Sequence, residues 1–152
     1  MFSIEAVNDS ERRDVVLARL RATNTERSSV MRALRGTSVE RSVPVEVYAT
    51  GPDGEPAGGL AGHVQWGWLH VDLLWVDERH RGTGLGSALM ARAEDVAREE
   101  HGAVGSQVET WDFQAPGFYR KVGYEEVAAV EDYPPGMTNH LLIKRFPPVS
   151  GA

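Results

Sequence analysis

Residues 71–90, VDLLWVDERHRGTGLGSALM, constrain this chain more than any other segment. An apolar stretch with strand character ends at Val76. A short charged segment follows, then Arg81-Gly82-Thr83-Gly84-Leu85-Gly86-Ser87. Leu85, Leu89, Ala93 and Val96 then fall on one helical face, and Gly102 closes the helix after His101. A strand that feeds a helix through a basic, glycine-rich turn leaves amides at the helix start with no intrahelical partner. Those amides and the helix dipole attract an anion, and glycines let it approach the backbone closely. The segment reads as a grip for phosphate, and a chain built around it reads as an enzyme with a pyrophosphate-bearing co-substrate.

Spacing decides which grip it is. A dinucleotide fingerprint needs GxGxxG directly after a strand, inside repeated βαβ units. Here the spacing is GxGxG, a charged segment intervenes, and the preceding strands read as antiparallel. A triphosphate P-loop needs Lys-Ser or Lys-Thr after its last glycine, and Gly86 is followed by Ser87-Ala88. A plain flexible helix cap would account for the glycines alone.

The rest of the chain alternates strands and helices. Phe2, Ile4 and Ala6 alternate with Ser3 and Glu5, which predicts a first strand. Asn8 and Glu11 resemble a capping box ahead of the stripe Val16, Leu17, Leu20, so a helix is predicted over 10–22. A shorter helix is predicted over 25–35, closed by Gly36. Strands at 43–50, 57–66 and 68–76 form an antiparallel meander with turns at 51–54 and Gly67. After the glycine-rich helix come a strand at 104–110, a short helix at 115–122, and strands at 124–130 and 137–146 around Pro134-Pro135-Gly136.

The 152 residues, 41% hydrophobic and 25% charged, suit one soluble domain with an adequate core. The absence of cysteine excludes disulfides, thiolate metal sites and cysteine nucleophiles. A net charge of -6 argues against duplex nucleic acid as a partner. No apolar run approaches the ~18 residues of a membrane span, and residues 1–7 lack a secretory pattern, so a cytoplasmic protein is expected.

Two motifs carry a resemblance to a known family. Arg81, Gly84 and Gly86 match R/Q-x-x-G-x-G/A, and residues 115–124, APGFYRKVGY, match A-x-x-x-Y-x-K/R-x-G-F/Y. Leu74-Trp75-Val76-Asp77 resembles the strand end that precedes the first motif. By these features the chain resembles the GNAT superfamily of acetyl-coenzyme A-dependent N-acetyltransferases, most weakly over its first forty or so residues. The resemblance implies an α/β (α+β-like) fold, with a mixed, mostly antiparallel central sheet of six to seven strands and helices on both faces. It implies a single domain over residues 1–146 and a flexible tail at 147–152. The strands 68–76 and 104–110 should run parallel and diverge to admit the coenzyme.

It also implies roles. Leu74, Trp75 and Val76 should run beside the pantetheine arm as if it were another strand. Amides of Gly82, Thr83, Gly84, Leu85, Gly86 and Ser87 should surround the pyrophosphate, with Arg81 as the flanking cation. Arg79 and His80 read equally as phosphate contacts or as a solvated basic loop. Asp112 stands beside the pantetheine, where many relatives carry asparagine. Tyr119 matches the signature tyrosine near the coenzyme sulfur, and a phenol of pKa near ~10 can protonate a leaving thiolate. Position alone would make Tyr119 a core aromatic, as Phe118 and Tyr124 are read to be. The oxyanion should meet amides near Leu74 and Trp75. Glu109 is the assigned base, while Asp72, His63, His70 and a water chain stay open as alternatives. Trp66, Trp68, Trp75 and Trp111 read as core or as the floor of an acceptor pocket, which the first helices, Asn24 included, should wall.

The implied reaction is transfer of acetyl from acetyl-coenzyme A, as co-substrate, to a primary amine of a small molecule, without metal. An amine-bearing antibiotic or a polyamine is the expected acceptor. A protein amine, or a non-catalytic acyl-coenzyme A sensor of the same fold, are the alternatives. Nucleic acid and membrane are not expected partners, and relatives' habits suggest a homodimer through late strands.

Overall fold

The structure, a computed structural model, describes residues 1–148. The expected tail at 147–152 therefore lies mostly outside the described residues. The chain divides into two compact units, residues 1–40 and residues 41 onward.

The first unit holds α1 (Ser10–Arg27) and α2 (Ser29–Leu34). Asp9 caps α1, its carboxylate accepting from the Arg12 amide at 3.0 Å. Ser28 caps α2 by accepting from the Met31 amide at 3.1 Å. The helix expected over 25–35 is the shorter α2, because residues 25–27 continue α1, and three further sequence expectations fail here. Residues 1–9 form no strand, because alternation over a few residues makes a strand only where a neighbouring edge pairs with it, and none does. Asp9, not Asn8, is the cap. The first helix runs past Ala22 to Arg27, and within that extension the Thr25 hydroxyl donates back to the Arg21 carbonyl at 2.8 Å, so it does not compete for the backbone as a cap.

The second unit is a six-stranded sheet with helices between its strands. In chain order it comprises β1 (Val43–Thr50), β2 (Pro56–Gln65), β3 (Trp68–Val76), α3 (Leu85–His101), β4 (Gly105–Trp111), α4 (Pro116–Lys121), β5 (Glu125–Glu131) and β6 (Thr138–Arg145). Their spatial order is β1-β2-β3-β4-β6-β5. Every neighbouring pair is antiparallel except β3–β4, which is parallel and joined by α3 as its crossover. The apolar stripe of α3 does what its spacing predicts. Leu89, Met90, Ala93 and Ala97 are buried, and they share a core with Val45, Leu60, Leu69, Val71, Val108 and Leu142.

Positioning of the site rests on one irregularity. The strands β3 and β4 pair only over 68–71 and 105–108. Beyond Val71 and Val108, β3 continues on β2 alone and β4 on β6 alone. The fork coincides with a β-bulge. Val71 lies opposite Gly62 and Leu73 opposite Ala61, so Asp72 is the extra residue that bends β3 away. Gly62 makes this bend feasible, since a Cβ there would stand 2.2 Å from the His70 carbonyl oxygen.

Candidate active site

Among the described residues, the fork leaves one edge of β3 without a strand partner from Asp72 onward. The backbone of Leu74, Trp75 and Val76 is held by β2 on one side, opposite Leu60, Gly59 and Gly58. Its other side offers amides and carbonyls to whatever extended molecule enters the fork.

At the end of this edge, Asp77 caps a single 3-10 turn, Glu78–His80, and the loop leads into α3. Gly82 and Gly84 have φ of +75° and +84°, a region that L side chains rarely adopt. Gly84 is the N-cap of α3 and supplies no side-chain cap; the first helical bond runs from the Ala88 amide to the Gly84 carbonyl at 3.0 Å. The amides of Leu85, Gly86 and Ser87 therefore point out of the helix without intrahelical acceptors. Gly86 differs, for its φ is ordinary but a Cβ there would lie 3.3 Å from the Phe118 ring, which would have to give by a few tenths of an ångström. That approach seats α4 against the start of α3. Thr83 donates to the His80 carbonyl at 2.5 Å and stiffens the loop.

The cations of the loop divide. Arg79 is committed to the protein, reaching Asp77 at 3.0 Å and Asp53 at 3.3 Å, and its guanidinium holds the Asp77 carboxyl below the usual range. Arg81 is exposed and makes no side-chain bond among the described residues. The open alternative for Arg79 thus falls on the structural side, and Arg81 is the cation that faces solvent beside the unpaired amides.

Tyr119 and Tyr124 are both buried, at 8% and 3% exposure, with ring centres 5.9 Å apart. Their hydroxyls differ. Tyr124 donates to Ser106 Oγ at 2.7 Å, whereas the Tyr119 hydroxyl has no hydrogen-bond partner among the described residues. Burial raises the Tyr119 phenol above its ordinary value, so it keeps its proton at neutral pH. Phe118 packs on the core as expected.

Glu109 follows Val108, the last residue of β4 paired to β3, and is exposed. Alternation along the strands puts its side chain on the face away from α3, with Gln107 and Trp111. The same face of β2 and β3 carries His63, His70 and Asp72. His63 Nδ1 stands 2.9 Å from Asp72 Oδ2, and the two imidazoles stack 4.7 Å apart, 2° from parallel. Trp75 is half-exposed, and Trp111, of intermediate exposure, stacks on Phe113; neither belongs to the core cluster.

Asp112, the expected pantetheine neighbour, is tied to the protein through its carboxylate. Its carboxylate accepts from the Thr138 amide at 3.1 Å and from His140 Nε2. His140 Nδ1 meets Glu126 in turn. Sequence reading missed this bridge, because Asp112, Glu126 and His140 come together only through the β4–β6 and β5–β6 pairings. It also missed Gln114, which accepts from the Trp111 amide at 3.2 Å and shapes the loop before α4.

Known proteins resemble this chain in sequence and in fold. A family model described as acetyltransferase (GNAT) family matches residues 18–124. The blasticidin-S acetyltransferase of Streptomyces morookaense is 66% identical over 133 residues, covering 86% of this chain and 98% of that protein. A crystal structure of an acetyltransferase from Bacillus cereus superposes with a TM-score of 0.77 at 31% identity, covering 95% of this chain and 98% of that one. A nourseothricin acetyltransferase structure gives a TM-score of 0.61 at 29% identity, covering 68% of this chain and 66% of that one.

Proposed function

This chain belongs to the acetyltransferase (GNAT) family and is an acyltransferase, and we propose that it moves acetyl from acetyl-coenzyme A to a primary amine of a small-molecule antibiotic. Blasticidin S is the acceptor to try first, since a relative that is 66% identical carries its name. The supporting observation from the structure is the conjunction of an unpaired β3 edge with an uncapped α3 start at its end. An acyl-pantetheine chain is extended, carries amides that can pair with a strand edge, and ends in a pyrophosphate. The two features suit its two ends.

In this reading residues 1–146 act as one catalytic domain, supported by a family match over residues 18–124 that begins inside the first unit and extends into the second. Arg81 and the amides of residues 82–87 hold the pyrophosphate, and Leu74, Trp75 and Val76 hold the pantetheine. Asp112 acts near that arm through the loop it fixes to Thr138. The amine attacks the thioester carbonyl in a ternary complex, and amides near Leu74 and Trp75 receive the oxyanion. Tyr119 gives its proton to the leaving sulfur, and Glu109 takes a proton from the nitrogen.

The test is coenzyme thiol release from acetyl-coenzyme A in the presence of blasticidin S, nourseothricin and a polyamine, with products weighed by mass spectrometry. Acetylated antibiotic supports the reading. Release with the polyamine alone, or with none of the three, contradicts the proposed acceptor class.

A further inference from the structure

Acetylation of an amine that arrives as an ammonium needs two protons removed from nitrogen, and a single transfer to Glu109 covers only one of them. R–NH3⁺ and the thioester become R–NH–acetyl, the coenzyme thiol and one free proton. The nitrogen loses two protons. One must leave before attack, to free the lone pair, and one after the C–N bond forms. Only one of them is balanced by the proton that the sulfur gains when the C–S bond breaks.

Resting on the acetyl-transfer reading above, we propose that His63, oriented by Asp72, takes the first proton from the acceptor ammonium. His63 is then a catalytic residue and Asp72 its positioning residue. The bulge at Asp72 puts this pair at the fork, on the sheet face that carries Glu109. Tyr119 belongs to α4, in the core cluster on the other face. With Nδ1–H of His63 donating to Asp72 at 2.9 Å, the lone pair of Nε2 is the one left to act. The pair is open enough to pass its proton on to water, with side-chain exposures of 31% for His63 and 56% for Asp72.

The stacked partner explains why the base is His63 and not His70. The Gln107 amide nitrogen sits on His70 Nδ1, which occupies that lone pair and fixes His70 as a neutral ring. Desolvation, then the neighbouring His63, push the His70 imidazole below its ordinary value. An imidazolium formed at His63 therefore stacks on a neutral ring and not on a second cation. The titratable groups facing His63 from adjoining strands are His70 and Asp72 on β3 and Glu46 on β1, whose register places it on the same face. After attack, Glu109 takes the second proton, and the proton on Tyr119 goes to sulfur and is replaced through solvent.

The experiment is the pH–rate profile of thiol release with acetyl-coenzyme A and blasticidin S for wild type, H63Q and D72N. At pH 7, H63Q should lose about a hundredfold in kcat/KM for the acceptor. The loss should shrink as pH rises until the acceptor amine is neutral in solution, with KM for acetyl-coenzyme A unchanged. D72N should fold and lose less than H63Q, because the imidazole stays in place but is no longer oriented by the carboxylate. A loss in H63Q that is constant across pH, or a wild-type profile in both variants, overturns the assignment while leaving acetyl transfer intact. If wild type itself releases no thiol with blasticidin S, the acceptor reading fails, and this assignment with it.

Discussion

Tyr119 and Tyr124 meet edge to face in the core, yet only Tyr124 has its hydroxyl bonded, to Ser106 at 2.7 Å. Two buried phenols in one cluster thus have opposite tasks. Tyr119→Phe removes a hydroxyl that holds nothing in place, so the fold should keep its stability. The expected loss is about a hundredfold in kcat with acetyl-coenzyme A affinity unchanged. Tyr124→Phe strands the Ser106 hydroxyl and should cost about 1 kcal/mol in urea denaturation with little change in kcat. Equal catalytic losses in the two variants would contradict this division.

Gly62→Ala tests the fork. The added methyl would stand 2.2 Å from the His70 carbonyl oxygen, against backbone that cannot yield without undoing the bulge. The variant should be destabilised by about 2 kcal/mol or more, and coenzyme affinity should fall with it. Retained affinity in this variant would separate the bulge from the binding edge.

His140 gives a pH dependence. Hydrogen bonds that its ring donates to the Asp112 and Glu126 carboxylates raise its pKa above the ordinary value, Asp112 contributing most. A group raised in the folded state adds stability that is whole below the unfolded value, near ~6.5, and lost as pH rises through the folded one. The thermal midpoint of the wild type should therefore fall relative to His140→Gln as pH climbs from about 6 to 9. Parallel midpoint curves would contradict the bridge.

Lys144 answers the buried Glu94, 2.6 Å away, and also donates to the Val122 carbonyl at 3.0 Å. Burial raises the Glu94 carboxyl even with the lysine beside it. Lys144→Met leaves that carboxyl without its cation and should cost about 3 kcal/mol, read from the urea midpoint. Glu94→Gln combined with Lys144→Met should recover much of the loss.

The second unit was legible in the sequence because its signals are local. Glycines with positive φ, such as Gly82, Gly84 and Gly102, punctuate it, and Leu85, Leu89, Ala93 and Val96 keep helical period. The divergence of β3 and β4 came from the family resemblance, and no residue pattern named Asp72 as the bulge. The failures lie where structure depends on distant partners. The alternation of Phe2, Ile4 and Ala6 is that of a strand, but no neighbour pairs with it. Asn8 loses the cap to Asp9, whose carboxylate reaches the right amide. The His63–Asp72 and Asp112–His140 pairs join strands through register, which side-chain identity does not reveal.

The central claim is that the start of α3 and the free edge of β3 together seat acetyl-coenzyme A. Calorimetric titration of acetyl-coenzyme A into the folded protein, repeated with Gly84→Val, tests it most directly. Saturable one-to-one uptake by the wild type, with loss of most of the affinity in a variant that remains folded, is the predicted result. No uptake by folded wild-type protein, or equal uptake by the variant, would contradict it.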